Sequence, residues 1–280
     1  LPAVLVNMPA CHLAVAIGAH GPVHAPVAAC ASGCVAIGLA CRALQWGEAD
    51  VMVAGGAEST ITPIGFAAFG RLGALSTRND DPQNACRPFD AERDGTVIGE
   101  GSAIMILETL EHARARGAGV LAEVAGYGLT EDAYHVVMPD PNGQQAARSM
   151  RMAMGEAGWG PADVDYVCAH GTGTPLNDAA ETSAIKLALG EHAYRVPVSS
   201  NKSMVGHMLG AAGAFSVFVA VKTILEGVIT PTANLRNPDP ECDLDYVPLR
   251  SRPATVRRAL INAFGFGGQN VALALQASEC

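Results

Sequence analysis

The chain has 280 residues, of which 49% are hydrophobic and 16% charged, and it carries 31 glycines and a net charge of −9. This composition predicts a soluble globular protein with a large core and one or two domains. The negative charge argues against nucleic acid as a main partner, because phosphate binding needs a surplus of Lys and Arg. We find no apolar run of bilayer-spanning length and no basic signal-peptide start, so we expect a cytoplasmic protein without a membrane anchor.

The first half of the chain alternates apolar runs with turn-rich segments. We expect a buried strand at 22–29, a helix over 31–46, a strand over 49–56 and a strand over 101–110. Turn residues dominate the long stretch 58–95 between them. A loop of that length inside a compact domain is usually functional or forms a dimer contact.

The second half repeats the alternation of strands and helices. The predicted elements are a strand at 120–129, a loop at 133–143, helices at 144–157, 178–190 and 210–227, and strands at 163–171, 257–268 and 269–277. Strands that alternate with helices predict largely parallel α/β sheets. The chain is expected to divide into a cysteine-bearing half, 1–115, and a histidine-bearing half, 116–280.

Eight cysteines are scattered through the chain without a CxxC pair, at positions 11, 30, 34, 41, 86, 168, 242 and 280. Disulfide frameworks are typical of small secreted chains, so we expect free thiols and no metal site. Most of these cysteines suit the role of small buried hydrophobes. Cys30 differs because it lies in "AACASG", where a predicted strand turns into a helix. It is either a packing cysteine or a nucleophile whose pKa the helix N-terminus lowers.

Three further segments place polar groups beside glycines. His170 opens "HGTGTP" directly after a predicted strand, and Lys202 and His207 lie in "NKSMVGHMLGAAG". Each histidine alone is as readily a core residue as a functional one. In "FGFGGQN", 264–270, glycines would let backbone N–H groups approach a ligand and form half of an oxyanion hole. The chain has no GxxxxGK[ST], GxSxG or HExxH motif, which leaves phosphate-loop, serine hydrolase and zinc protease functions unsupported.

Considered together, these groups suit one reaction class. A Cys–His pair performs acyl transfer, and a second histidine suggests a further anion to stabilise. Two N–H donors aimed at a thioester carbonyl would stabilise the enolate that forms when a malonyl thioester loses CO2. The set therefore suggests a decarboxylative Claisen condensation.

Six segments then carry a family resemblance: "AACASG", "VAGGAE", "STRNDDPQNACRPFDAERDG", "AHGTGTPLNDAAE", "NKSMVGHMLGAAG" and "NAFGFGGQN". In this order they resemble the elongating β-ketoacyl-[acyl-carrier-protein] synthases of the synthase II type. The resemblance implies a thiolase-like α/β fold with mixed five-stranded sheets and layered helices (αβαβα), and a homodimer. It also implies an acyl carrier protein as partner, substrates carried on its phosphopantetheine, and no other cofactor.

The same resemblance implies residue roles. Cys30 would accept the acyl group, His170 and His207 would jointly drive decarboxylation, and Lys202 would support them electrostatically. The backbone N–H groups of Cys30 and Phe266 would form the oxyanion hole. The implied substrate-binding residues are Thr172, Thr174, Phe264, Gly265 and Phe266, and the loop "AYHVVMPDPNG" would border the pantetheine tunnel.

Related classes fit less well. Initiating synthases use Cys–His–Asn, whereas the third position here is His207. A thiolase acting on coenzyme A thioesters remains an alternative, although "GFGGQN" lacks the second cysteine of that class. Chain-length factors lack the nucleophile that Cys30 supplies.

The chain departs from the family in two ways. Family members have a large N-terminal portion ahead of the region that begins here, so we expect exposed sheet edges and keep a truncated or partner-dependent, non-catalytic subunit as an alternative. Ser216 also stands where the family usually has a glutamate that pairs with the lysine.

Four arginines lie in one segment, and they either dock an acidic carrier protein or pair with nearby carboxylates. They are Arg71, Arg78, Arg87 and Arg93.

Overall fold

A computed structural model describes residues 5–278 of the chain. Its helices are α1 (Met8–Ile17), α2 (Ser32–Gln45), α3 (Pro63–Leu72), α4 (Leu110–Ala115), α5 (Gln144–Glu156), α6 (Pro175–Leu189), α7 (Lys202–Val205) and α8 (Ala212–Glu226). Its strands are β1 (Val51–Glu58), β2 (Gly101–Glu108), β3 (Glu123–Glu131), β4 (Tyr166–Cys168), β5 (Val198–Ser199), β6 (Val228–Ile229), β7 (Arg252–Pro253), β8 (Arg258–Gly265) and β9 (Gln269–Gln276).

The central sheet has five strands in the order β3-β9-β8-β4-β5. β4 pairs in parallel with β5 and β8, whereas β9 pairs antiparallel with β8 and β3. The expectation of largely parallel sheets is therefore wrong, and the mixed sheet implied by the resemblance is confirmed. The physical reason is the short turn at 266–268, where Gly267 and Gly268 adopt positive φ, since so short a connection can join only antiparallel strands.

Helices cover both faces of this sheet. On one face α5 and α6 pack around Met150, Ile185 and Leu260. On the other, α2 and α8 pack around Ile37 and Ile261. β1 and β2 form a separate two-stranded antiparallel sheet that packs on the second of these helix layers through partly buried residues, among them Ala54, Ala103 and Met105. Alternating layers of helix and sheet result, as the layered α/β fold implied by the resemblance requires.

The outer face of the β1–β2 sheet is apolar and open. Val53, Ile104 and Ile106 are exposed there, and Ile106 reaches 70%. The exposed sides alternate along both strands with the sides that pack on the helices, as one-sided burial of a sheet requires. The β1–β2 sheet therefore leaves one apolar face uncovered.

Two predicted elements differ from the structure. Residues 22–28 form no strand, and Val27 is 75% exposed. Pro22 and Pro26 explain this, because proline cannot donate to a strand ladder. The segment 58–95 is not all loop, because it contains α3, in which the Thr62 side chain accepts a hydrogen bond from Gly65 N and Pro63 occupies the first helical position. A Thr-Pro pair ahead of an apolar run is a helix-start signal that the turn-rich composition obscured.

The segment Leu209–Glu226 is a helix long and apolar enough to cross a membrane, contrary to our expectation of no such run. More than half of it is buried inside the fold. Ala214, Val217 and Ala220 lie in the core that α2 and α8 share. The helix therefore makes the contacts of a core helix.

Two glycines in β3 set the distance between the central sheet and α5. A Cβ atom at Gly128 would lie 1.9 Å from the Ser149 carbonyl oxygen, and one at Gly126 would lie 2.1 Å from Ala153 O. We predict that Gly128→Ala lowers the free energy of unfolding by at least ~3 kcal/mol, because the helix must shift to relieve a backbone clash. Thermal denaturation of the variant measures this loss. Gly119→Ala is the control, since nothing lies within 4 Å of its added methyl, and an unchanged melting temperature for Gly128→Ala would contradict the packing.

Candidate active site

Cys30 lies in a 3-10 turn, Ala29–Ala31, that runs directly into α2. The preceding residue, Ala29, has a φ of +46°, a conformation that costs free energy for a residue with a side chain. Ser32 holds the turn closed, because its hydroxyl accepts from Ala28 N at 2.9 Å and donates to Ala29 O at 2.7 Å. The turn leaves the Cys30 side chain at the wall of a cavity, 7% exposed.

The glycine turn after β8 reaches this cysteine. A Cβ atom at Gly265 would lie 2.4 Å from Ala28 O and 3.3 Å from Cys30 N, so only a glycine allows the two backbones to approach. The amide N–H groups of Cys30 and Phe266 both act on the Cys30 sulfur. Two backbone donors therefore lie beside the thiol, and the oxyanion hole stays a prediction.

Burial raises the pKa of the Cys30 thiol to about 11. The Lys202 charge and the N–H groups of Cys30 and Phe266 lower that pKa, and Glu58 raises it further. The expectation of a lowered pKa is wrong here, because loss of water around the thiolate outweighs the favourable donors. The thiol is protonated at neutral pH and must lose its proton to a neighbour when it reacts.

This raised pKa predicts how Cys30 responds to alkylation. Only the thiolate reacts, so the rate of Cys30 modification by iodoacetamide should rise about tenfold per pH unit from pH 7 to 10. Peptide mapping by mass spectrometry at each pH follows the rate at Cys30. A rate that reaches its plateau below pH 8 would show a stabilised thiolate and contradict the dominance of burial.

The two predicted histidines face the same cavity. His170 follows β4, and His207 follows α7. The ring centroids lie 5.4 Å apart with the planes at 83°. His207 is fixed by backbone bonds on both sides, from its own N to Val97 O at 2.7 Å and from Gly99 N to its O at 2.9 Å. The Phe264 ring lies 5.6 Å from that of His170.

Hydrogen bonding sets the tautomer of His207. Leu209 N donates to its Nδ1 at 3.3 Å, so the proton of the neutral ring sits on Nε2. Leu209 reaches this position with a φ of +41°. Burial and the Lys202 charge hold the pKa of both histidines well below its usual range, and His207 adds to the effect on His170. Both imidazoles are therefore neutral at pH 7.

Lys202 does not line the cavity but lies behind it. Its side chain is buried, and its Nζ donates to the carbonyl oxygen of His170. Burial lowers the pKa of the ammonium group, while Glu181 opposes that shift. Lys202 thus places a positive charge next to the backbone of one catalytic candidate and lowers the pKa of both histidines.

Glu181 is the functional candidate that sequence reasoning missed. It lies on α6, and its carboxylate accepts from His170 N at 2.8 Å, Gly171 N at 2.7 Å and Asn262 Nδ2 at 3.0 Å. The carboxylate that acts on Lys202 therefore comes from the end of the "AHGTGTPLNDAAE" segment. Ser216 stands where the family usually has the glutamate, and its hydroxyl accepts a hydrogen bond from Asn201 Nδ2 at 3.0 Å.

A second buried carboxylate holds the threonine turn. Asp178 accepts from Phe89 N at 2.8 Å and from Gly173 N at 3.2 Å, and it pairs with Arg93 at 3.5 Å. The hydroxyls of Thr172 and Thr174 lie 3.0 Å apart at the cavity wall.

The arginines of the predicted docking segment divide into two groups. Arg87 and Arg93 are buried, and they pair with carboxylates rather than face a partner. Arg78 lies within 3.6 Å of Glu92. Of the four, only Arg71 on α3 retains the exposed position that docking needs.

One cavity of about 490 Å³ joins nearly all the predicted site residues. They are Cys30, His170, Thr172, Thr174, His207, Phe264, Gly265 and Phe266. Apolar residues of α3 and of the 133–143 loop complete the wall, among them Phe69, Leu72 and Met138. Within residues 5–278, no group of three or more His, Cys, Asp or Glu side chains is arranged to hold a metal ion.

The layered fold and the Cys–His–His cavity define a thiolase-like protein. Two family models match the chain, "Beta-ketoacyl synthase, N-terminal domain" over residues 2–113 and "Beta-ketoacyl synthase, C-terminal domain" over 121–236. The chain is 52% identical over 276 residues to a 3-oxoacyl-[acyl-carrier-protein] synthase 2 of Synechocystis sp. (99% of this chain, 66% of the relative). It is 45% identical over 279 residues to the protein of that description in Staphylococcus aureus (100% and 67%).

Comparison with solved structures also finds ketosynthases. The chain matches a ketosynthase complex described as a type II PKS acyl-carrier protein with its ketosynthase bound to the hexaketide. The match has a TM-score of 0.96 at 40% identity and covers 98% of this chain and 67% of that one. The chain belongs to the β-ketoacyl synthase family. It spans 58–66% of the length of the first three curated relatives.

Proposed function

We propose that the protein catalyses decarboxylative Claisen condensation, joining a Cys30-bound acyl group to malonyl-[acyl-carrier-protein] in fatty acid or polyketide synthesis. The 3-oxoacyl-[acyl-carrier-protein] is the product. The observation that carries the proposal is the convergence of Cys30, two neutral histidines and two backbone donors on one cavity. Such a set supports acyl transfer and enolate stabilisation together.

In the loading half-reaction, the Cys30 sulfur attacks the carbonyl carbon of an acyl thioester. The thiol proton passes to His170, because the Nδ1 of His207 already accepts from Leu209 N. The N–H groups of Cys30 and Phe266 stabilise the oxyanion that forms. The bond from the acyl carbon to the carrier's sulfur then breaks, and the departing thiolate takes the proton from His170.

In the condensing half-reaction, the malonyl thioester loses its carboxylate. The bond between the α-carbon and the carboxylate breaks, its electron pair forms the enolate, and CO2 leaves. The Nε2–H of His207 donates to the enolate oxygen. The α-carbon then attacks the acyl carbonyl on Cys30, the carbon–sulfur bond breaks, and the sulfur takes up the proton that the overall reaction consumes.

The partner we propose is an acyl carrier protein that delivers both substrates on phosphopantetheine. The cavity wall suits such an arm, which combines amides with an apolar chain, because it presents both hydroxyl and apolar side chains. These are Thr172, Thr174, Met138 and Leu72. Arg71 on α3 suits an acidic carrier. We further propose a homodimer, a cytoplasmic location and two thiolase-like halves, 1–115 and 116–280, with no cofactor beyond the carrier's arm.

Incubation of the chain with an acyl-carrier and malonyl-carrier protein tests this function. We expect 3-oxoacyl-carrier to form only when both carriers are present, with at least one CO2 released for each 3-oxoacyl-carrier formed. CO2 release without any 3-oxoacyl product would reduce the function to a decarboxylase. Cleavage of acetoacetyl-CoA at a comparable rate would instead favour the thiolase alternative.

The open outer face of β1–β2 favours a second candidate, a subunit that needs a partner and lacks activity alone. Val53, Ile104 and Ile106 expose apolar surface there, as an interaction surface does. Gel filtration and thermal denaturation of the 280-residue chain separate the two. A dimer with a cooperative transition supports the enzyme, whereas aggregation without a transition supports the dependent subunit.

A further inference from the structure

The last residue of β1, Glu58, carries a half-buried carboxylate that the proposed mechanism does not use. It ends the "VAGGAE" segment and does not line the active-site cavity. One carboxylate oxygen accepts a hydrogen bond from Gly210 N at 3.2 Å, and the other accepts one from Ser59 N at 3.3 Å. The bond to Gly210 joins residues 152 positions apart in the chain. It therefore connects the end of β1 to the turn that follows His207.

The turn that receives this bond, Leu209–Ala211, has a strained backbone. Leu209 has a φ of +41°, and a residue with a side chain keeps such a conformation only where the surrounding contacts hold it. A Cβ atom at Gly56 would lie 2.5 Å from Gly210 O, so β1 packs directly against the turn. The N–H of Gly210 donates to Glu58 on the same side. The carboxylate is thus one of the contacts that hold Leu209 in its conformation.

The backbone of Leu209 determines where the imidazole of His207 carries its proton. Leu209 N donates to Nδ1 of the ring at 3.3 Å, so the proton of the neutral ring sits on Nε2. In the proposed mechanism this Nε2–H donates to the enolate oxygen. If the 209–211 turn relaxed, Nδ1 would lose its donor and could take the proton itself. The ring would then present an acceptor to the enolate instead of a donor.

The same carboxylate lies close to the nucleophile, and its charge acts against it. Glu58 raises the pKa of the Cys30 thiol. A Cβ atom at Gly210 would lie 3.2 Å from Glu58 Oε2 and 4.0 Å from Ala29 O, in the turn that carries Cys30. A negative charge behind the thiol opposes formation of the thiolate. The benefit of Glu58 to the reaction must therefore come through the turn and not through the thiol.

We propose that Glu58 is a positioning residue, whose carboxylate holds this turn so that Leu209 N stays on Nδ1 of His207 and the Nε2–H faces the enolate. This inference rests on the proposed function. Glu58 itself touches neither the substrate nor the reacting atoms. It therefore assists decarboxylation but not the acylation of Cys30, in which the proton passes to His170.

The two half-reactions of Glu58→Ala test the proposal. The kcat for CO2 release from malonyl-carrier should fall roughly tenfold, as expected when a partly buried hydrogen bond is lost, while the KM stays within about twofold. The rate of Cys30 acylation by acyl-carrier should not fall, since the lost charge opposed the thiolate. Glu58→Gln keeps an acceptor oxygen and should restore most of the CO2 release.

Two further variants separate the turn from the general loss of a carboxylate. Glu100 is exposed at the same end of the sheet, and its carboxylate accepts from Ser59 Oγ and Ile61 N. Glu100→Ala should leave CO2 release within about twofold. Gly210→Ala disturbs the contact from the other side, because its methyl would lie 3.2 Å from Glu58 Oε2. It should lower CO2 release and spare acylation, and it decides the matter if Glu58→Ala does not fold.

The ¹⁵N spectrum of the histidine-labelled chain reads the tautomer of His207 directly, once its signals are assigned by their loss in His207→Asn. The parent and Glu58→Gln should carry the proton on Nε2, and Glu58→Ala should share it with Nδ1. Unchanged CO2 release, or an equal fall in both half-reactions, would overturn the proposal. If the parent releases no CO2, the proposed function fails instead, and this spectrum decides the Glu58 inference.

Discussion

Cys30→Ala should abolish condensation while CO2 release from malonyl-carrier continues. The variant has no sulfur to hold the acyl group, so formation of 3-oxoacyl-carrier should fall by at least about 10³-fold. His207, whose Nε2–H would stabilise the enolate, remains at the cavity wall. Parallel assays of 3-oxoacyl product and of CO2 measure the separation of the two half-reactions.

Cys34→Ala is the matched control for this variant. Cys34 lies one helical turn further along α2, is fully buried and does not line the cavity. It should keep both activities and lose only the modest stability of a buried sulfur. Condensation by Cys30→Ala at more than a few per cent of the parental rate would contradict the assignment of the nucleophile.

Glu181→Ala should have the largest effect on stability. The carboxylate accepts three hydrogen bonds, from His170 N, Gly171 N and Asn262 Nδ2. Its removal leaves these donors without their acceptor and the buried Lys202 charge without the carboxylate that acts on it, a loss that typically costs about 3–5 kcal/mol. We expect a lower melting temperature, together with slower acylation of Cys30 because the His170 turn is no longer fixed.

Glu191→Ala controls for the loss of a carboxylate in the same region. Glu191 is exposed, just beyond the end of α6, and its removal should change the unfolding free energy by less than about 0.5 kcal/mol. If Glu181→Ala has the same melting temperature as the parent chain, the carboxylate does not support the site. Glu181→Gln keeps the size of the side chain and should fall between parent and alanine in stability.

Local pattern was sufficient to predict much of the fold. The helices α2, α5 and α8 fall within one or two residues of their predicted bounds, because long runs of apolar residues at helical spacing identify them. The β8–β9 hairpin was visible as two runs joined by glycines. The direction of strand pairing could not be predicted, because an alternation of strands and helices does not reveal that β9 and β3 pair antiparallel.

For the site, the motifs identified which residues meet but not their electrostatics. Cys30, His170, His207 and Phe266 come together as the family resemblance implied. The importance of Glu181 depends on α6 lying behind the His170 turn, a contact that no spacing rule predicts. The raised pKa of Cys30 depends on burial by segments distant in sequence. A prediction from the local helix N-terminus alone therefore had the pKa shift in the wrong direction.

The most direct test of the central claim is the location of the acyl group after the chain is incubated with acyl-carrier protein alone. Peptide mapping by mass spectrometry should find one acyl group per chain, on the peptide that contains Cys30 and Cys34, and fragmentation should place it on Cys30. An acyl group on any other residue, or none on a folded chain, would contradict the account.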